Sequence, residues 1–134
     1  MLGVRTYAKG YIDACRSRVN ADVAAYRKVA AAAKKQAAAF EATFFSNLVL
    51  ALDHSFAHRL RTVEGKDGNP LNEVRMLADS IMENKGVLKA DKTIKYTPER
   101  SVLQLKPGDK IGLDEAGFGR LADAFLAEVA KKYR

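Results

Sequence analysis

His54 and His58 are the pair of side chains whose type and spacing could perform chemistry. On a helix, residues four apart share a face, so both imidazoles could reach one metal ion. Two histidines are not a complete site, and Glu64, Asp67 or Glu73 would have to add oxygen ligands. The arginines beside them would repel a cation. The sequence therefore favours an exposed or lightly hydrogen-bonded histidine pair and leaves a metal site as an alternative.

A dense group of charges follows, over residues 58–75. An oxyanion held by His58, Arg59, Arg61 and the helix start at Asn69 is one interpretation. The other is structural, because cations favour the end of one helix, carboxylates favour the start of the next, and opposite charges pair across the turn. We favour this structural network. Its remaining charged members are Glu64, Lys66, Asp67, Glu73 and Arg75.

The net charge of +7 is concentrated in the N-terminal half, with ten Lys and Arg against four Asp and Glu up to residue 62. Arg16, Arg27 and Lys34 fall in a narrow strip if their helix is regular, and such a row could bind nucleic-acid phosphates. The tyrosines of this region lie off the strip, so a stacking platform for bases is missing. We favour a solvated helix face.

No catalytic residue and no cofactor are predicted. The sequence contains neither His-Glu-x-x-His nor Gly-x-Ser-x-Gly, and no Gly-Lys-Ser/Thr follows its glycines. The single Cys15 excludes a disulfide framework and has the position of a core residue. An enzyme is therefore the less favoured class.

The elements that position these residues are mostly helical. Between Gly10 and Gly65 there is no glycine or proline, and apolar residues recur at three- and four-residue steps, which predicts helix. One continuous helix would be about 80 Å long, whereas a compact domain of this length is about 35 Å across. We therefore predict a fold-back between Ala37 and Ala42, with one long helix as the open alternative. The bulky residues from Phe44 onward, Leu52 and Phe56 among them, are predicted to form the centre of the core.

Further along, Asn69 and Pro70 predict the start of a helix that ends at Asn84. Short apolar runs separated by turns then predict strands at residues 93–96, 101–105 and 110–113. Asp114 is placed to cap a last helix. The predicted fold is mainly α: about four helices in a bundle, with a small β-hairpin or meander before the C-terminal helix. Residues 1–134 are predicted to form a single helical domain.

A resemblance rests on the run HRLRTVEGKDGNPLNEVR and on the later GDKIGL with an F-x-x-L-A-x-A-F helix. These segments resemble a family of small uncharacterised bacterial helical proteins. The likeness spans residues 44–125 and implies one domain, with no activity, cofactor or partner attached.

A cytoplasmic location is expected, because no leader opens the sequence and no apolar run approaches the roughly 20 residues that span a membrane. The leading functional hypothesis is a non-enzymatic interaction or structural domain that forms a homodimer. It rests on an alanine-rich seam along the first helix that one small chain does not cover completely. The first alternative is an anion-binding module for nucleic acid or a small oxyanion, and the second is a metal-dependent activity.

Overall fold

The computed structural model describes residues 3–134 and is mainly helical. A 3₁₀ turn at Pro98–Arg100 lies in the long connection before the last helix. The four long helices of the prediction are present, together with one short helix. The helices are α1 (Lys9–Ala32), α2 (Lys34–Ser55), α3 (Arg61–Glu64), α4 (Pro70–Glu83) and α5 (Glu115–Lys132).

Helices α1 and α2 form the predicted antiparallel hairpin. The turn between them is at Ala33, earlier than the predicted fold-back between Ala37 and Ala42. Alanine favours helix without fixing where it ends, so the surrounding composition could not locate the break. Side chains on either side fix it. Tyr26 stacks on Phe44 with ring centroids 4.8 Å apart, and its hydroxyl donates to the carbonyl of Ala37 at 2.8 Å.

Helix α2 ends at Ser55, whereas the apolar pattern predicted helix as far as Gly65. Phe56 leaves helical geometry with φ −128° and is buried. The next turn brings the side chain of Arg59 inside, where it is 3% exposed. Gly65, at φ 80°, ends the short helix α3. His58 consequently lies outside the helix that carries His54, which corrects the premise of a shared helical face.

Helices α4 and α5 begin where the capping residues predict. The Asn69 side chain accepts hydrogen bonds from the backbone N–H groups of Leu71 (2.8 Å) and Asn72 (3.3 Å). The Asp114 side chain accepts one from Gly117 at 2.7 Å. Both caps satisfy amides that have no partner within their own helix.

The predicted β-hairpin or meander is wrong: within residues 3–134 the segment before α5 has no strand, only an isolated antiparallel bridge between Val87 and Lys110. Its amides donate to scattered backbone carbonyls and to side chains instead of forming a ladder. Glu73 accepts from Val102 and Leu103, and Gln104 adopts a positive φ of 56° that breaks the extended conformation. The apolar residues of this segment pack on the helices, and Ile111 and Leu113 are part of the core.

The core is one cluster drawn from the four long helices and the connection before α5. Leu52 and Phe56 lie inside it, 0% and 1% exposed, as predicted. Phe40 belongs to the apolar residues whose three- and four-residue spacing predicted helix, but it lies at the surface and is 49% exposed. Of the helices described, none has the length and apolar character needed to cross a membrane.

Candidate functional site

The charged corner predicted from the sequence is built around the buried carboxylate of Glu64, which is 0% exposed. Oε1 accepts from Arg59 Nε at 2.8 Å and from Arg75 Nη2 at 2.6 Å. Oε2 accepts from Asn72 Nδ2 at 2.8 Å and Arg75 Nε at 3.1 Å. These four side chains, from the turn after α2, from α3 and from α4, are called the Glu64 network below.

Each of the three side-chain nitrogens of Arg59 donates a hydrogen bond within the protein. Besides the bond from Nε to Glu64, Nη1 donates to the carbonyl of Phe56 and Nη2 to that of Leu71. Nη1 also lies 3.0 Å from a carboxylate oxygen of Asp53, and the guanidinium carbon lies 5.3 Å from the centroid of the Phe125 ring. A buried arginine needs such partners, and here the protein itself supplies them.

Burial by itself would raise the pKa of Glu64, but the hydrogen bond from Arg75 and the charge of Arg59 outweigh it and hold the pKa below its ordinary value. The carboxylate is therefore charged at neutral pH. A group that stays ionised between two arginines is poorly suited to act as a proton-transferring acid or base near pH 7.

The last turn of α5 and the start of the chain close over the network. Lys132 Nζ donates to the Glu64 carbonyl at 2.9 Å, and the Tyr133 hydroxyl donates to the Leu60 carbonyl at 2.9 Å. Desolvation raises the pKa of Tyr133 to about 12. On the other side, Val4 N donates to the His58 carbonyl at 2.6 Å and Leu60 N donates to the Val4 carbonyl at 2.8 Å. Arg59 and Glu64 are thus covered by these segments, whereas the side chain of Arg75 stays 18% exposed at the edge of the network.

The four residues predicted to hold an oxyanion differ in exposure, and Arg59 and Asn69 are both bonded to Glu64. Arg59 is buried, whereas His58 and Arg61 are exposed. Asn69 is occupied at both ends of its amide, since its oxygen caps α4 and its nitrogen donates to the Glu64 carbonyl at 2.8 Å. The helix start that would have received the anion is already capped by the protein's own side chain.

The predicted metal ligands are also separate from any acidic partner set. His54 and His58 are both exposed, while Leu52 and Phe56 of the same stretch are buried. Within residues 3–134 no three His, Cys, Asp or Glu side chains are arranged so that they could hold a metal ion.

The predicted basic row is largely paired within the fold. Arg16 Nη1 lies 2.8 Å from a carboxylate oxygen of Asp123, and Arg27 forms an ion pair with Glu115. Both acids belong to α5, so these arginines join α1 to α5. Lys34 is exposed at the start of α2 and has no ion-pair partner in the described part of the chain.

Glu73 has a role that the sequence did not reveal. Its two carboxylate oxygens accept from the amides of Val102 (2.8 Å) and Leu103 (3.0 Å) and anchor the connection before α5. Desolvation raises its pKa, and the two amide hydrogen bonds only partly offset this. The sequence does show that Glu73 lies next to the apolar residues of α4 that face the core. It could not show the partners of Glu73, which are 29 and 30 residues away in the chain.

A mainly apolar surface groove lies elsewhere, between α1 and α2. A groove of about 400 Å³ is open there, and Val29 and Phe40 beside it are 59% and 49% exposed. The three- and four-residue apolar spacing includes Phe40, and the signal against its burial was the adjacent pair Phe44 and Phe45 one turn later, which supplies the core with aromatic side chains. The groove is lined by Asp22, Ala25, Tyr26, Val29, Gln36, Ala37, Phe40 and Phe44.

Comparisons with protein-family models, with curated proteins and with solved structures found no match for this chain. The resemblance to a family of small bacterial proteins therefore stays a prediction. Any functional conclusion has to come from the surfaces and contacts described above.

Proposed function

We propose that the protein is a non-enzymatic helical interaction domain that self-associates through the exposed side of its α1–α2 hairpin. The observation that carries this proposal is the apolar groove with Val29 and Phe40 at its edge. Large apolar side chains exposed together in a groove are a common mark of an interaction surface.

The rest of the hairpin supports the same function. Many of its alanines are exposed, among them Ala21, Ala25 and Ala32 on α1 and Ala39 on α2. Small side chains let a second helix approach closely, so large contact areas form at little entropic cost. The apolar seam of α1 is itself largely buried, since Ile12, Cys15 and Val19 are 2–7% exposed, so the proposal rests on the exposed alanines and the groove.

The non-enzymatic part of the proposal rests on how the reactive side chains are used. Arg59, Glu64 and Asn69 form hydrogen bonds with one another's side chains or backbone inside the protein. Arg75 also donates to the Glu64 carboxylate. Removing these groups would be expected to unfold the corner instead of abolishing a reaction at a folded surface.

Sedimentation equilibrium over a range of concentrations tests self-association. We expect the average mass to rise above one chain at micromolar to high-micromolar concentration. The double variant Val29→Asp with Phe40→Asp places two charges in the apolar contact, and desolvating them would cost enough to leave a monomer. A strictly monomeric wild type would overturn the proposal.

The matched control is Ala127→Asp with Ala130→Asp, which adds the same two charges to exposed positions of α5. This control should associate like the wild type, and circular dichroism should show both double variants folded. If the control dissociated as completely as the hairpin variant, the effect would be one of net charge and the hairpin would not be the contact surface.

A further inference from the structure

We infer that the self-association is a twofold, antiparallel packing of α2 against α2 of a second copy, which rests on the proposed function and specifies its geometry. The inference comes from one continuous row of exposed residues along α2, called the α2 outer face below. It consists of Gln36, Phe40, Thr43, Asn47, Ala51 and His54, all of them exposed. Their steps of four and three residues are those of a helix face that meets another helix.

The α2 outer face is self-complementary when read in the opposite direction. A twofold axis passing near residue 45 sets Phe40 of one copy against Ala51 of the other, so a large side chain meets a small one. The same axis sets Thr43 against Asn47, which can exchange hydrogen bonds. The full contact would run the length of α2, about 33 Å for its 22 residues.

The charges at the two ends of this face are opposite. Lys34 and Lys35 begin α2, and both are exposed and without an ion-pair partner among residues 3–134. At the other end, a groove between α2 and α4 contains Ala51, His54, Asp79 and Met82, and Met82 is 70% exposed. Glu83 lines the adjoining groove, which shares Asp79. Antiparallel packing brings the lysines of each copy to the acidic end of the other.

The helix dipole favours the same arrangement. The first turn of α2 carries Lys34 and Lys35 and no acid, which is unfavourable at the positive end of a helix. In the antiparallel pair these lysines would lie beside the C-terminal end of the partner's α2, where positive charge is stabilised. A tip-to-tip contact between hairpins would instead place the lysines of both copies together.

Charge reversal tests the arrangement. Variant one is Lys34→Glu with Lys35→Glu, and variant two is Asp79→Lys with Glu83→Lys; all four positions are exposed. Each variant alone would face like charges at both ends of the contact and should remain monomeric where the wild type is dimeric. Mixed together, they meet opposite charges at both ends, and we expect a one-to-one heterodimer by sedimentation or native mass spectrometry.

The salt dependence of dimerisation is a second test of the arrangement. Dimerisation held by opposite charges should weaken as salt rises, whereas a tip-to-tip contact between lysines should strengthen because salt screens repulsion. Lys92→Glu with Lys95→Glu is the matched control, at exposed positions in the connection before α5, and should dimerise like the wild type. Neutral variants, Asp79→Asn with Glu83→Gln, serve if the reversed acids do not fold.

Cysteine cross-linking measures the register directly, since the native Cys15 is buried. Gln36→Cys mixed with His54→Cys should form a disulfide between copies, while neither should cross-link to itself. Efficient self-cross-linking of Gln36→Cys, or a variant two that dimerises unchanged, would overturn the antiparallel arrangement and leave self-association standing. Two monomeric charge variants that do not combine would also overturn it. A monomeric wild type would instead remove the proposed function itself.

Discussion

Glu64 and Arg59 lie side by side in the interior, although charged residues of these types are rarely buried unless they are paired. Each charge offsets the free-energy cost of removing the other from water. Arg75 and Asn72 donate further hydrogen bonds to the Glu64 carboxylate. Such a network has a small net value compared with a well-packed apolar substitute. Its loss is costly for another reason, namely that the partners remain buried without a counter-charge.

We therefore expect Glu64→Gln to lower the free energy of unfolding by about 3–5 kcal/mol, because Arg59 would stay buried with only neutral acceptors nearby besides Asp53. Urea denaturation followed by circular dichroism measures the change. Asp13→Asn, which removes an exposed ion pair with Lys9, is the control and should leave the midpoint almost unchanged. Equal losses from the two variants would contradict a special role for the buried network.

The lowered pKa of Glu64 makes a pH prediction with a definite sign. A carboxylate with a lowered pKa in the folded state stabilises the protein above the pKa of the unfolded chain, and this stabilisation is lost as pH falls through the folded value. The difference in unfolding free energy between wild type and Glu64→Gln should shrink below about pH 4. Denaturation curves at a series of pH values check this, and a difference that stays constant into strong acid would contradict it.

At the residue scale the sequence predicted the members of the corner but not which of them are inside. Arg59 and Arg61 differ by two positions, and either arginine could have been the buried one. The choice depends on the end of α2 at Ser55, which turns Arg59 inward and leaves Arg61 exposed. Burial of this kind is decided by tertiary packing, which no local pattern records.

Among the elements, the connection from α3 to α4 packs closely against another part of the backbone. Gly68 has φ 87°, and a Cβ added there would lie 2.5 Å from the carbonyl oxygen of Lys95. Gly108 has φ 97° and nothing within 4 Å of the same added atom. These two glycines therefore share a positive φ that L side chains rarely adopt, and they differ in steric room.

Gly68→Ala and Gly108→Ala separate these two costs. Both should lose about 1–2 kcal/mol from placing an L side chain at positive φ. Gly68→Ala should lose a further 1–3 kcal/mol, roughly, because the backbone of residue 95 has to move away. Chemical denaturation of the two variants side by side gives the difference. If Gly108→Ala were the more destabilised, the close approach of Lys95 would not be a determinant of this turn.

Prediction worked for elements whose ends are fixed locally and failed where a distant residue intervenes. Asn69 and Asp114 each cap the helix that follows within three residues, so their helices could be located from the sequence. The strand-like segment before α5 had the right alternation for a hairpin. The carboxylate of Glu73, from α4, takes the amides that a hairpin would have paired.

For the molecule as a whole, stability depends on the α2 side of the core. Leu52 is 0% exposed, and Leu52→Ala should lower the free energy of unfolding by about 2–5 kcal/mol, the range for a buried leucine that leaves a cavity. Met82→Ala removes a side chain of similar size that is 70% exposed and should cost little. Thermal or urea unfolding compares them, and a similar loss in both would contradict the assignment of this core.

The general architecture, helices with a hairpin at the N-terminal side, followed from periodicity and length alone. The exposed groove did not, because a helical stripe shows which residues are apolar and not how far the partner helix extends to cover them. Val29 and Phe40 continue the spacing of the buried residues, but they lie on the two sides of the turn at Ala33 and are 59% and 49% exposed.

The hydrogen bonds at the end of α5 bear on the order of folding. Lys132 and Tyr133 donate to Glu64 and Leu60, which lie 68 and 73 residues earlier in the chain. Contacts of such high sequence separation close a long loop, whereas the α1–α2 hairpin joins neighbouring segments. We therefore expect the hairpin to form early in folding and the charged corner to close late, so that the hairpin gains amide protection before the corner does in pulse-labelled hydrogen exchange.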